Sequence, residues 1–238
     1  MNNKKAFLDP KTVLDYSNAT LNVKLWKSEE FLINKYVNKD AKILDLGCGS
    51  GRTTFALYEQ NYKNIVACDI SQAMIENAKI INEDKKYLID FLVADATNLP
   101  FETNTFDFVL FSFNGWPGIP LEKSRINALK EVERILKDNG IFIFTAHERD
   151  EKEYLLYYKN YLEECSEFTY EKYGNFIFKN ENKICDFLHL YSKTELIELI
   201  SNNTNLTILE IVDRDKNFYE SNEVKKFSDN TTFWILKK

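Results

Sequence analysis

From about residue 28 onward, short apolar runs alternate with amphipathic stretches. Runs at 42–46, 64–68, 87–93, 106–111 and 141–145 have the length and branched or aromatic content of buried strands. Between them the spacing predicts helices at about 52–60, at 72–82 with Ser71 as N-cap, and at 121–137. The last of these stops at Asp138-Asn139-Gly140, a C-cap signal. Upstream, Phe31, Leu32, Lys35 and Tyr36 follow helical spacing behind Ser28 as N-cap, and a short helix is expected around 12–18. Strands joined by helices predict an α/β fold with a parallel sheet and right-handed crossovers. Residues 150–191 break the rhythm and read as a helix at 151–162, then a hairpin of 167–179 with 183–190. A helix at 193–201, a strand at 206–212, a polar loop and a strand at 231–236 follow. No repeat or low-complexity linker interrupts this order. Residues 1–238 therefore read as one domain, with a helical N-terminal flap over 1–40 and an insertion at 150–191.

Composition narrows the class. The formal charge of −6 offers no basic footprint for nucleic acid. Residues 1–7 are polar and precede no apolar signal core, and no run approaches the roughly 18 apolar residues of a membrane span. The expectation is a cytoplasmic protein. Cys48, Cys68, Cys165 and Cys185 form no C-x-x-C pair. They read as reduced, small apolar side chains rather than a disulfide framework or metal site.

Chemistry concentrates where the first strand ends, in Ile43-Leu-Asp-Leu-Gly-Cys-Gly-Ser-Gly51. Glycines at 47, 49 and 51 let the backbone turn sharply and lie directly against a ligand. A dinucleotide site wants G-x-G-x-x-G, but Arg52 stands where its third glycine belongs. Asp45 suits a cationic group better than a pyrophosphate. The second strand ends in Asp69, 18 residues after Gly51, where an acid can accept from both ribose hydroxyls. The third ends in Asp95-Ala96, where an acid can meet an adenine amino group. All lie at carboxyl ends of adjacent strands, where open α/β sheets bind ligands.

These motifs resemble the class I S-adenosylmethionine-dependent methyltransferases, closely over about residues 28–147 and loosely elsewhere. Ile-Leu-Asp-Leu-Gly-Cys-Gly-Ser-Gly is similar to the family's first motif, which brings in Asp45, Gly47, Cys48, Gly49 and Gly51. Residues 66–74 are similar to the second, with Asp69 for the ribose, Ile70 among the cofactor-binding residues and Met74 beside the adenine. Asp95 and Ala96 resemble the adenine contact. The turn before strand five lacks the usual Pro-Gly-Gly ending. The resemblance implies a seven-stranded Rossmann-like sheet in the order 3-2-1-4-5-7-6 with strand seven antiparallel. It also implies S-adenosylmethionine as methyl donor and S-adenosylhomocysteine as product, with the backbone carbonyls of Phe111 and Ser112 offered to the methionine amino group.

The acceptor side is less explicit. A general base is optional for an activated methyl; His147, at the end of strand five, is the candidate, with a structural hydrogen bond as its alternative. His189 lies in an apolar strand and reaches substrate only if the hairpin covers the pocket. Asn114 and Trp116 sit in a stiff loop, 113–120, that lacks the Asn-Pro-Pro-Tyr pattern of base and glutamine methylation. Residues 151–191 hold eleven aromatics, including Tyr154, Tyr157, Tyr158, Tyr161, Tyr173, Phe176 and Phe178; most are expected to pack on one another. By family habit, Tyr16 and Trp26 are candidates for the flap. A small-molecule acceptor is the leading expectation. RNA or protein methylation, a non-catalytic cofactor-binding module and NAD-dependent redox chemistry are the alternatives.

Overall fold

A computed structural model describes residues 9–150, 164–179 and 183–238. The expected helix at 151–162, with Tyr154, Tyr157, Tyr158 and Tyr161, lies outside them. Helices α1 (Pro10–Asn22) and α2 (Lys27–Tyr36) precede β1 (Ile43–Leu46), α3 (Arg52–Glu59), β2 (Ile65–Asp69), α4 (Gln72–Asp84), β3 (Asp90–Val93) and β4 (Phe106–Phe111). Then come α5 (Glu122–Ile135), β5 (Leu136–Ala146), a hairpin of β6 (Asn175–Lys179) and β7 (Cys185–His189), and α6 (Lys193–Asn203). The chain closes with β8 (Thr207–Asp213), two short helices α7 (Arg214–Asn217) and α8 (Asn222–Phe227), and β9 (Thr232–Lys237).

The main sheet has the order β3-β2-β1-β4-β5-β9-β8, with β6 and β7 forming a separate two-stranded sheet. Strands β1 to β5 pair in parallel, whereas β9 is antiparallel to both its neighbours. With the hairpin set aside, this is the expected seven-stranded order, and β8 and β9 hold the family's sixth and seventh places. Strand alternation divides the core in two. Leu44, Leu46, Val109, Phe111, Phe142, Phe144 and Trp234 pack with α5 and α6 on one face. Ile43, Ala67, Phe108, Leu110, Ile143 and Phe233 pack with α2, α3 and α4 on the other. Helices on both faces explain why the strands are apolar throughout.

Several local expectations change. Ser28 does not cap α2: its hydroxyl has no hydrogen-bond partner. Glu29 instead accepts from the Trp26 amide at 2.9 Å, and Glu220 accepts from the amides of Lys27 and Ser28 at 3.0 and 2.9 Å. Carboxylates at a helix N-terminus satisfy free amides and complement the dipole. The Asp138-Asn139-Gly140 stretch caps no helix and belongs to β5, because Asn139 donates to the Lys238 carbonyl while Lys238 donates to that of Gly140, each at 3.0 Å. The polar loop before β9 contains α7 and α8.

The cysteine expectation needs correction. Cys48 and Cys68 are buried and free, but Cys165 and Cys185 form a disulfide. Packing of Phe168 against Phe187 brings the two segments together, which no sequence spacing announces.

A buried ion pair ties the N-terminal helices to the sheet edge. Arg52, the first residue of α3, donates from Nη1 and Nη2 to both oxygens of Glu29 at 2.7 Å. Ser112, just past β4, donates to the same carboxylate. Removing one partner of such a pair strands the other charge. Glu29→Ala is expected to lower unfolding free energy by about 3–5 kcal/mol in urea titration. The double variant Glu29→Leu/Arg52→Met should recover most of that loss. A single-variant change below about 1 kcal/mol would place the pair with ordinary surface salt bridges.

Candidate active site

The turn after β1 is built from glycine conformations. Gly49 and Gly51 have φ of 55° and 93°, in the left-handed region that side chains disfavour. Gly51 caps α3. The Gly49 amide donates to Asp69 Oδ2 at 2.9 Å, and the Ser71 amide donates to Oδ1 at 2.8 Å. Two backbone donors thus fix the acid at the end of β2 beside the turn. Burial pushes the Asp69 carboxyl up, and these amides oppose the shift. Cys48 is buried, as is Met74, whose sulfur accepts from the Ser50 hydroxyl at 3.4 Å. Ile70 stands at the same edge, partly exposed. Asp95 is exposed beyond β3, accepting from the Thr97 amide at 2.9 Å, with Ala96 buried next to it.

Asp45 and Arg52 have other partners than a ligand. Thr53 and Thr54, in the first turn of α3, both donate to Asp45 Oδ2, at 2.6 and 2.5 Å. Burial raises the Asp45 pKa to about 6, against the pull of these two hydroxyls. Arg52, in the place of the missing third glycine, serves the pair with Glu29. Sequence reading missed Glu29, Thr53 and Thr54; the unexpected arginine was the one available signal.

Phe111 and Tyr16 bound the turn. A Cβ on Gly47 would lie 2.5 Å from the Phe111 ring, and one on Gly115 would lie 2.2 Å from it. Tyr16, on α1, covers Gly49, with its ring 3.4 Å from where a Cβ would be. It also meets Phe113 edge-on at a centroid distance of 5.9 Å. The structure therefore brings Tyr16 to the turn. Trp26 is held elsewhere, fully buried between the guanidinium groups of Arg52 and Arg214 at 5.0 and 5.1 Å.

The histidine expectations change most. His147 Nδ1 lies 2.7 Å from the Asn230 carbonyl and so carries its proton there. Its Nε2 then accepts from the Asn114 amide group at 2.9 Å. Both nitrogens are engaged and burial holds the pKa down, so His147 fastens the loop after β4 and is not free to act as a base. Asn114 completes the clasp by accepting from Thr231 at 3.1 Å. Trp116, expected at the acceptor mouth, is buried: it stacks on Tyr191 at 5.3 Å and donates to the Arg125 carbonyl at 2.9 Å. His189 is also buried, with Nδ1 2.6 Å from Asn175 Oδ1 and Nε2 3.5 Å from Glu195 Oε1. Its backbone amide donates to the Pro117 carbonyl at 2.9 Å, which sets the hairpin against the loop after β4. Among the described residues no cluster could hold a metal ion, and no helix is long and apolar enough to cross a membrane.

A doubly wound sheet with a glycine turn after β1 and acids at the ends of β2 and β3 defines a nucleotide-type site at the carboxyl edge. Residues 44–144 match the methyltransferase domain family. Within that stretch, the glycine turn and the acids at strand ends support a domain of the class I S-adenosylmethionine-dependent methyltransferase type. The site fits that cofactor, because Asp69 keeps open surface while bonded to the Gly49 amide, and Asp95 is exposed past the end of the next strand. A ubiquinone/menaquinone biosynthesis C-methyltransferase of Rickettsia prowazekii is 35% identical over 127 residues, covering 50% of this chain and 49% of that protein. The eEF1A lysine and N-terminal methyltransferase of Mus musculus is 32% identical over 109 residues, covering 46% and 15%. The chain spans about half the length, or less, of the curated relatives it matches. Among solved structures, a SAM-dependent methyltransferase of Methanosarcina mazei shares the fold with a TM-score of 0.71 and 21% identity, covering 90% of this chain and 98% of that one.

Burial of neutral His189 has a pH consequence. Its folded pKa falls to about 4, through loss of hydration first. The unfolded chain, at about 6.5, takes up the proton earlier. The associated stability is complete above the unfolded value and is lost as pH falls toward the folded one. Asp45 and Asp186, both raised to about 6 by burial, act in the opposite sense. The difference between wild type and His189→Gln isolates the term. It should shrink by on the order of 3 kcal/mol between about pH 6.5 and pH 4 in urea titrations. A pH-independent difference would show that His189 keeps its unfolded pKa in the fold.

Proposed function

We propose that this protein transfers a methyl group from S-adenosylmethionine to a small-molecule acceptor by in-line displacement. Bound S-adenosylmethionine supplies a methyl already activated on a sulfonium, so the chain's task is mainly to align donor and acceptor. Orientation of that kind is worth roughly 7–11 kcal/mol. Asp69 receives the ribose hydroxyls, with Ile70 and Met74 along the nucleoside and Asp95 and Ala96 at the adenine. The backbone at Gly47, Cys48 and Gly49 and the Phe111 carbonyl take the methionine part, with Tyr16 closing over them. The observation that carries this reading is Asp69, held by the Gly49 and Ser71 amides at the edge of a turn that matches a methyltransferase domain.

A small acceptor is supported by the quinone-pathway relatives, by the acidic charge balance and by a hairpin of modest size beside the loop after β4. The mouse relative keeps protein methylation as the competing outcome. Methyl-labelled S-adenosylmethionine, offered to fractionated metabolites, protein and RNA from one extract, separates them. Label is expected in the metabolite fraction; label confined to protein or RNA would overturn the small-molecule assignment. Asp69→Ala is expected to weaken S-adenosylhomocysteine binding by roughly 1.5–3 kcal/mol in calorimetry, since hydrogen bonds to a charged group are lost. Unchanged affinity would remove Asp69 from the ribose.

A further inference from the structure

The β6–β7 hairpin lies outside the matched domain, yet its backbone is bonded to the loop after β4 through His189 and Pro117. Its two faces differ. Ile177 and Phe187 pack with Phe168 and the Cys165–Cys185 disulfide on one side. Strand alternation puts Phe176, Phe178, Asp186 and Leu188 on the other, with Asp186 paired across the ladder to Phe178. The two phenylalanine rings stack there at 5.0 Å.

Asp186 is out of place among these apolar side chains. Its carboxylate accepts from the Phe187 amide at 2.8 Å. Among the described residues no lysine, arginine or histidine is paired with it. Deep burial pushes its pKa to about 6, although part of its surface stays open. Tyr16 and Asp69 share that combination of depth and open surface, the condition of side chains lining a cavity. Both carboxylates act on the Tyr16 hydroxyl: after burial, the charges of Asp186 and then Asp69 are the next causes that raise it. Tyr16 lies on Gly49, so the Asp186 face of the hairpin looks toward the methyl-donor turn.

We infer that Asp186 is the acceptor-recognition carboxylate, and that the acceptor is a small apolar or aromatic molecule bearing a protonated amine. A buried, unpaired carboxylate is costly unless a ligand brings a cation to it. The Phe178 ring, paired with it across the ladder, adds cation–π attraction to the same ligand. The inference rests on the methyl-transfer reading for the direction in which the cavity opens. It also sets this chain apart from an enzyme for an anionic quinol, which Asp186 would repel.

Matched probes test it: phenethylamine against phenethyl alcohol, and tryptamine against tryptophol, titrated by calorimetry with and without S-adenosylhomocysteine at neutral to alkaline pH. The amines are expected to bind more tightly than the alcohols, and Asp186→Asn should weaken the amines about tenfold or more while leaving the alcohols unchanged. S-adenosylhomocysteine affinity should not move in that variant and the urea midpoint should not fall, since Asn removes the cost of the buried charge; together these exclude a folding defect. Amines that bind no better than their alcohols overturn the inference, as does a preference that survives Asp186→Asn. Wild type that prefers the amines yet fails to bind S-adenosylhomocysteine would sink the methyl-transfer reading and leave the carboxylate site standing.

Discussion

The contact between Arg52 and Glu29 sets the geometry of the carboxyl edge. A cation in the first turn of a helix opposes the helix dipole, and its burial adds a further penalty. Glu29 offsets both with a two-pronged, charge-assisted bond, and Ser112 joins the same carboxylate. Three segments far apart in sequence thereby meet at one point: the N-terminal helices, the glycine turn and the end of β4. The loop after β4 thereby starts from a fixed place, while Tyr16 reaches the turn because α1 packs on α3 and α4, with Ser17 donating to Asn77 at 2.7 Å.

Most of the fold could be read from periodicity. The strands are apolar runs covered on both faces, and the helices between them carry a single apolar stripe, so both signals are local. The errors fall where tertiary contacts outvote local ones. Ser28 looks like a helix cap, yet Glu220, from just before α8, supplies the carboxylate that the first amides use. Asp138-Asn139-Gly140 looks like a helix stop, yet pairing with the C-terminal residue Lys238 draws it into β5. The disulfide depends on a contact between segments that have no common pattern.

The glycine turn and the acids at strand ends are legible because they depend on backbone: glycines where the chain must turn, and acids where strands stop. The acceptor side depends on which way side chains face after packing, and residue type does not reveal that. His147 and His189 drew notice as the chain's two histidines, but each has its ring bonded to neighbouring groups in the interior. Trp116 was conspicuous for the same reason and is a packing residue. Asp186, an ordinary acid in Cys-Asp-Phe-Leu-His, drew none. Its position becomes informative only once the ladder assigns it a face.

The ring of Phe111 has a further consequence. Its Cε2 edge lies against both Gly47 and Gly115, too close to either for a methyl group. One rigid ring is therefore a shared wall of the donor turn and the acceptor loop. A ligand that shifts the ring by a fraction of an ångström on one side changes the space on the other. Under the proposed function the two affinities would be linked quantities, and linkage is reciprocal: donor would alter acceptor binding by the same factor as acceptor alters donor binding.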